Sequence, residues 1–188
     1  LLISIAVSTV SIYLHHPSTP VLLGNWGFKY NDIVYGVFDP RFRPNLDPRS
    51  VSEKWYVAVK YYSLVTGTRV FVYPYVDYML EYPPVIGVVW AVSVNVALPA
   101  NLPEKYSPQY YIEKYPAIAS THYLFNALVN AFFFMLLALY VARAVDLLGA
   151  SWKKLLLLAI LPSTYMYLAY NWDVIAAATF MLAIIWFY

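Results

Sequence analysis

Three short stretches of this sequence place a carboxylate where it could take part in chemistry. They are KYNDIVYG, which contains Asp32, YMLEYPPVIG, which contains Glu81, and NWD, which ends at Asp173. Glu81 and Asp173 border long apolar runs, where an acid is costly unless it faces water or a cation. A carboxylate that faces water can take the proton of a substrate hydroxyl or bind hydroxyl groups. We therefore treat these three acids as candidate functional groups.

Each of these acids also has a structural interpretation, and the sequence leaves both open. Asp32 belongs to an Asn–Asp pair, which in a loop commonly forms a turn or a helix N-cap. Glu81 precedes two prolines, and proline suits the first positions of a helix because its missing N–H would be unpaired there. Asp173 could cap the helix that follows it. Three more acids stand beside proline or serine and are typical of caps: Asp39, Asp47 and Glu53.

The composition indicates a membrane protein. Hydrophobic residues make up 62% of the 188 residues and charged residues 12%, and the mean hydropathy is +0.57. An ordinary soluble domain is about 45–50% apolar. The net charge of +2 is too small for a nucleic-acid-binding surface, and no Lys/Arg run or Gly-rich phosphate loop accompanies it. The expected partner is therefore the lipid bilayer, and nucleic acid is excluded.

The metal-binding residue types give no prediction of a cofactor. The absence of cysteine excludes disulfides, thiolate nucleophiles and Cys-ligated metals. His15, His16 and His122 lack the spacing of a metal site, so we expect interfacial or capping roles for them. Metal dependence stays open.

The apolar runs predict an all-α, polytopic helical membrane protein, because a full span needs about 20 residues. Residues 1–14 and 174–188 read as membrane helices that are truncated, so we expect the sequence to be a fragment. The remaining apolar runs are 84–100, 121–142 and 155–170. Of these, 121–142 and 155–170 are predicted to cross the membrane.

The orientation follows from the short basic connection at 143–154, which contains Arg143, Lys153 and Lys154 against one acid, Asp146. Short loops rich in Lys and Arg stay in the cytoplasm. A full span at 84–100 would put this loop outside, so we predict a juxtamembrane or re-entrant helix there, within an extracytoplasmic loop at 15–120. All three candidate acids then lie on the outer side of the membrane.

The order of these motifs resembles a known family. After the first helix come YNDIVY, RVFVYPYVDYMLEYPPVIG, a helix with FNALVNAFFFMLLALYVAR, a short basic loop, and LPSTYMYLAYNWDVIAAATF. This order is similar to the N-terminal part of the GT-C superfamily of polyprenyl-phosphate-sugar-dependent glycosyltransferases, and in particular to the mannosyltransferase-like proteins of glycosyltransferase family 87. That family has an SDI-type motif after the first helix, then PYxD and EYPP, then an NWD that opens a helix. The present chain differs in reading Asn-Asp-Ile and in having a longer, more basic loop.

The resemblance implies a multi-pass enzyme of the cell membrane that works on the extracytoplasmic side. It would move a sugar, a hexose such as mannose, from a polyprenyl-phosphate donor to a hydroxyl of a glycan or lipid acceptor, with inversion. Asp32 would be the catalytic base. The implied substrate-binding residues are Glu81, Tyr82, Asp77, Asn171, Asp173 and Arg69. The phosphate leaving group needs cations, and the candidates in the loop are Lys29, Arg41, Arg43 and Arg49.

The alternative is a non-catalytic membrane subunit or a transporter component. In a transporter, the acids would form an ion or proton path and would stand in mid-membrane on facing helices. The sequence instead predicts them at helix ends on one side of the membrane, which favours the enzyme.

Overall fold

The computed structural model describes residues 1–24, 26–44, 67, 71–76 and 80–187 of the chain. Regular structure in these residues is helical, and no β-strand is present in them. The prediction of an all-α fold is confirmed for this part of the chain.

Seven α-helices and four helical segments of other types follow one another along the described residues. The α-helices are α1 (Leu2–His15), α2 (Asp39–Phe42), α3 (Pro84–Asn101), α4 (Pro108–Leu147), α5 (Leu157–Ile160), α6 (Pro162–Tyr167) and α7 (Asp173–Phe187). Three segments are 3₁₀-helices: Leu22–Gly24, Trp26–Phe28 and Trp152–Leu156. The fourth is a π-helix at Asp32–Phe38, directly before α2.

Among the described residues, two helices are long and apolar enough to cross a membrane, judged by length and composition. They are α3, with 18 residues, and α4, with 40 residues. At 1.5 Å per residue α4 is about 60 Å long, twice the roughly 30 Å of the hydrocarbon layer. If α4 crosses a bilayer, a large part of it therefore lies outside the hydrocarbon. The helices α1 and α7 are apolar but shorter.

The helix α3 matches the predicted helix at 84–100, but α4 extends further than predicted. It begins at Pro108 instead of residue 121 and contains Pro116 in its interior. The prolines favoured a loop over 108–120 because an interior proline removes a helical hydrogen bond. Tyr111, Tyr115 and Ile118 are buried at helical spacing, and this packing stabilises the additional turns.

The predicted membrane helix at 155–170 is divided in the structure. A 3₁₀-helix ends at Leu156, α5 ends at Ile160, and α6 begins at Pro162. Leu161 between them is extended, with φ −71° and ψ 119°. The cause is local, since a residue before proline is driven out of the helical region by the proline ring.

The described chain forms two compact units, residues 1–31 with 127–188, and residues 32–126. In the first unit α1 packs against α5 and α6. The buried face of α1 consists mainly of small residues, including three serines: Ser4, Val7, Ser8, Ser11 and His15. Small residues let helix backbones approach closely, and the Ala169 N–H donates to Ser11 Oγ at 3.2 Å.

Candidate functional site

Asp32 is the first residue of the seven-residue π-helix in the second unit. Its side chain is half-buried, whereas Ile33 and Phe38 of the same π-helix are fully buried. The Phe38 ring stacks on the imidazole of His122 in α4, with 4.3 Å between ring centroids. The π-helix is therefore packed tightly behind Asp32. Such helices are rare and are common at functional sites.

Asp39, which follows the π-helix, has a different environment from Asp32. It is 8% exposed, the Tyr115 hydroxyl donates a short hydrogen bond to Asp39 Oδ1, and Arg43 Nη1 lies 3.6 Å from Asp39 Oδ2. The Tyr111 hydroxyl donates to the Phe42 carbonyl at 2.7 Å. The sequence predicted that Asp39 caps a helix, and Asp39 is the first residue of α2. Its carboxylate also attaches α2 to α4, because it accepts from Tyr115.

The cluster around Asp39 also affects a tyrosine of the π-helix. Burial raises the pKa of Tyr35 to about 12, the negative charge of Asp39 adds to this shift, and Arg43 opposes it. The Tyr35 phenol is therefore protonated at neutral pH.

We call residues 80–84, which lead into α3, the EYPP corner. The Glu81 side chain is exposed and Tyr82 is half-buried. The Tyr75 hydroxyl donates to the Tyr82 carbonyl at 2.7 Å. Tyr75 has a φ of 63°, an uncommon value for a residue with a side chain. Its ring lies against Gly87, where an added Cβ would meet the ring at 2.4 Å.

The segment 71–76, which carries Tyr75, is held on α3 by Asn95. Asn95 Oδ1 accepts from the Val72 N–H at 3.0 Å. Its Nδ2 donates to the carbonyls of Val72 at 2.9 Å and Ala91 at 2.8 Å. Contacts remote in sequence therefore fix the backbone of the EYPP corner while the Glu81 carboxylate stays exposed.

A buried polar network connects α3 to α4 in the same unit. Ser93, His122 and Asn126 have no exposed surface. Ser93 Oγ lies 2.8 Å from His122 Nδ1 and accepts from Asn126 Nδ2 at 2.8 Å. Ser93 Oγ donates to the Trp90 carbonyl at 2.7 Å, which uses its only proton. His122 is thus a core residue, not the interfacial or capping group expected, and Ser93 is not placed as a nucleophile.

We call residues 171–173, which lead into α7, the NWD corner. Asn171 Oδ1 accepts from the Asp173 N–H at 3.0 Å, and Asn171 Nδ2 donates to Asp173 Oδ2 at 2.8 Å. Asn130 of α4 is buried and donates to the carbonyls of Leu168 at 3.1 Å and Asn171 at 2.6 Å. Asp173 is exposed, and its carboxylate accepts from Asn171 in a local turn at the start of α7.

The histidines at the end of α1 lie in the first unit. His15 is fully buried, its Nδ1 lies 2.8 Å from the Tyr30 carbonyl, and its own carbonyl accepts from Asn31 Nδ2 at 2.8 Å. Burial lowers the pKa of His16, and the positive charge of Lys29 adds to this effect. His15 thus attaches the end of α1 to the chain that leads to Asp32.

The predicted site residues fall into three groups. Asp32, Glu81 and Tyr82 belong to the second unit, whereas Asn171 and Asp173 belong to the first. The convergence of the three acids therefore stays a prediction. Asp77 and Arg69 lie outside the described residues.

The candidate phosphate-binding cations differ in the groups that they already contact within the protein. Lys29 lies over the Trp26 ring at 5.6 Å, and Arg41 donates to the Val37 carbonyl at 2.5 Å. Arg43 faces Asp39, yet its side chain is 58% exposed. Arg49 lies outside the described residues. In the part of the chain that is described, no three His, Asp or Glu side chains are grouped as metal ligands.

Sequence reasoning missed two features of the second unit. One is the link from Asp39 to Tyr115, which joins residues 76 positions apart. The other is the role of Tyr75 over Gly87. The motif PYVDYMLEYPPVIG contains both residues, but only a left-handed backbone at Tyr75 brings its ring onto the glycine.

Comparison with protein-family models, curated proteins and solved structures found no match to this chain. The similarity to the GT-C superfamily therefore rests on the sequence motifs alone.

Proposed function

We propose that this chain belongs to a polytopic membrane glycosyltransferase of the GT-C type. It transfers a hexose from a polyprenyl-phosphate donor to an acceptor hydroxyl at the extracytoplasmic face of the cell membrane. The observation that carries the proposal is the position of Asp32, a half-buried carboxylate at the first residue of a π-helix whose following residues are buried. A base needs this combination of a fixed backbone and access to substrate.

Asp39, the other acid of this segment, is not a suitable base. Its carboxylate already accepts from Tyr115 and faces Arg43. A carboxylate that is hydrogen-bonded and paired in this way is a weaker base, because both contacts stabilise its charged form. In the proposed reaction Asp32 takes the acceptor hydroxyl proton as the anomeric carbon becomes electrophilic.

Glu81 is proposed to bind hydroxyl groups of the sugar or acceptor. Its side chain is exposed, and its backbone is held through Tyr75 and Asn95. Binding by a carboxylate on a fixed backbone loses less entropy than binding by one on a mobile loop. Arg43, with a largely exposed side chain, is the candidate in this unit for contact with the donor phosphate.

The alternative function is a transporter component or a non-catalytic subunit. The positions of the charged residues in α3 and α4 favour it less than the enzyme. The helix α3 contains no charged residue, and those of α4 lie near its ends: Glu113, Lys114, Arg143 and Asp146. An ion path through these helices would need ionisable groups in their middle. His122 is the imidazole inside α4, and it is bonded to Ser93 and covered by Phe38.

The test is sugar transfer by the full chain in membranes, with radiolabelled polyprenyl-phosphate hexose as donor. Asp32→Asn keeps the size of the side chain but cannot take a proton, and we expect transfer to fall by about 10²–10⁴-fold. The matched control is Glu104→Gln, which removes an exposed acid of the same unit and should leave transfer unchanged.

Other outcomes would change the proposal. Near-normal transfer by Asp32→Asn together with an inactive Glu81→Gln would move the base to Glu81. Full activity in both variants would contradict the assignment of the site. A wild-type chain that supports ion flux but no sugar transfer would favour the transporter.

A further inference from the structure

The first unit contains an apolar slot between four helical elements. It has a volume of about 140 Å³ and lies between the start of α1, the C-terminal half of α4, the 3₁₀-helix Trp152–Leu156 and α5. Ile3, Phe134, Ala138, Leu155 and Leu158 line it. An apolar cavity of about 150 Å³ in a soluble protein is large enough to bind benzene. The slot therefore has room for a short section of hydrocarbon chain.

The surface around the slot is apolar as well. Leu139, which lines it, is 55% exposed, and Leu157 and Ile160 nearby in sequence are 49% and 66% exposed. Large apolar side chains exposed together are unfavourable in water. A lipid phase is the environment that suits this surface, and it supplies hydrocarbon chains directly to the slot.

Basic residues adjoin the lining of the slot in sequence. Ala142 is a lining residue and Arg143 follows it, while Leu155 is a lining residue and Lys153 and Lys154 precede it. Consecutive Cα atoms are about 3.8 Å apart, so the Cα atoms of these cations lie within about 8 Å of the Cα atom of a lining residue. Both lysines are exposed. Arg143 is paired with Asp146, whose Oδ2 accepts from its Nη1 at 2.9 Å.

We propose that this slot binds an acyl chain of an anionic phospholipid, whose phosphate lies at Lys153 and Lys154. The charge selects the anionic headgroup, and the apolar lining selects the chain. Basic sites between membrane helices commonly bind anionic headgroups in this way. The proposal rests on the membrane location in the proposed function but not on the glycosyltransferase activity.

The test uses the full chain in bilayer nanodiscs of phosphatidylcholine with a minor fraction of phosphatidylglycerol. Native mass spectrometry measures the phosphatidylglycerol that stays bound. Lys153→Gln with Lys154→Gln should weaken its binding by about fivefold per lysine, which corresponds to about 1 kcal/mol for each basic residue at the membrane surface. The control is Lys105→Gln with Lys114→Gln, two exposed lysines of the second unit, which should leave binding unchanged.

A second variant separates the slot from general surface charge. Ala138→Trp fills the slot and leaves the lysines in place, so it should abolish the preference for phosphatidylglycerol. The control is Leu128→Trp, at a position on α4 that is 64% exposed and does not line the slot. If Ala138→Trp retains the full preference, binding is surface electrostatics and the slot proposal is wrong.

The remaining outcomes are also decisive. No preference for phosphatidylglycerol in the wild-type chain would overturn the slot proposal, whether or not the chain transfers sugar. A chain that does not float with liposomes would contradict the membrane location itself, and so both proposals. Binding of inorganic phosphate without any effect of lipid would indicate a simple anion site and would also overturn the acyl-chain assignment.

Discussion

Glu81 and Asp173 both stand at the start of an apolar helix, but their carboxylates have different surroundings. In the NWD corner the acid itself is bonded, because Asn171 contacts both the carboxylate and the backbone of Asp173. In the EYPP corner the hydrogen bonds hold the backbone: Tyr75 donates to the Tyr82 carbonyl, and Asn95 holds the segment that carries Tyr75. The Glu81 side chain is exposed beside them.

The two surroundings suit two different roles for an acid at the start of a helix, stabilising the helix and binding a ligand. A carboxylate in the first turn interacts favourably with the helix dipole and the unpaired N–H groups there. Asp173 is the first residue of α7 and can provide that stabilisation. Glu81 lies before the two prolines, outside α3, so the helix gains less from its charge. A binding role therefore suits Glu81 better than a capping role does.

Among the variants of the two corners, the largest expected effect concerns activity and compares the two acids directly. Glu81→Gln should lower kcat/KM for sugar transfer by roughly 10- to 100-fold, because a hydrogen bond to a charged group contributes about 1.5–3 kcal/mol. Asp173→Asn should reduce transfer less and should lower Tm more than Glu81→Gln does. Parallel transfer assays and thermal unfolding of both variants measure this. The reverse pattern would exchange the roles of the two corners.

The next effect concerns the contact that holds the EYPP corner. Gly87→Ala should lower the free energy of unfolding by about 1–3 kcal/mol, because the new methyl group meets the Tyr75 ring and overpacks the site. In a helix the same substitution alone would stabilise by about 1 kcal/mol. We therefore expect Gly87→Ala to become neutral or stabilising in a Tyr75→Ala background. Destabilisation of equal size in both backgrounds would show that Tyr75 does not cause it.

The smallest effect concerns the local turn of the NWD corner. Asn171→Ala should lower the free energy of unfolding by about 1 kcal/mol, the usual loss when a side-chain acceptor at a helix N-terminus is removed. Asn171→Ser keeps an acceptor oxygen and should recover part of this loss. Chemical denaturation in detergent measures both variants. Equal stability of Asn171→Ala and the wild-type chain would mean that Asn130 alone holds the corner.

Local signals in the sequence predicted several elements well. The proline pair and the apolar run that follows it placed α3 within one residue of its observed bounds. The NWD turn was anticipated as a helix start, because an acid directly before an apolar run is typical of one. The apolar run at 155–170 was expected to form a single helix, but it is divided at Leu161. The cause is also local, because Pro162 follows Leu161.

Tertiary structure decided the rest. Whether Pro116 ends a helix depends on the packing of Tyr111 and Tyr115, and these tyrosines contact residues about 70 positions away. The same packing also decides the surroundings of Asp39, whose carboxylate is bonded to Tyr115. Composition and spacing report only on neighbours along the chain. The burial of a carboxylate and its hydrogen-bond partners depend on residues that folding alone brings together.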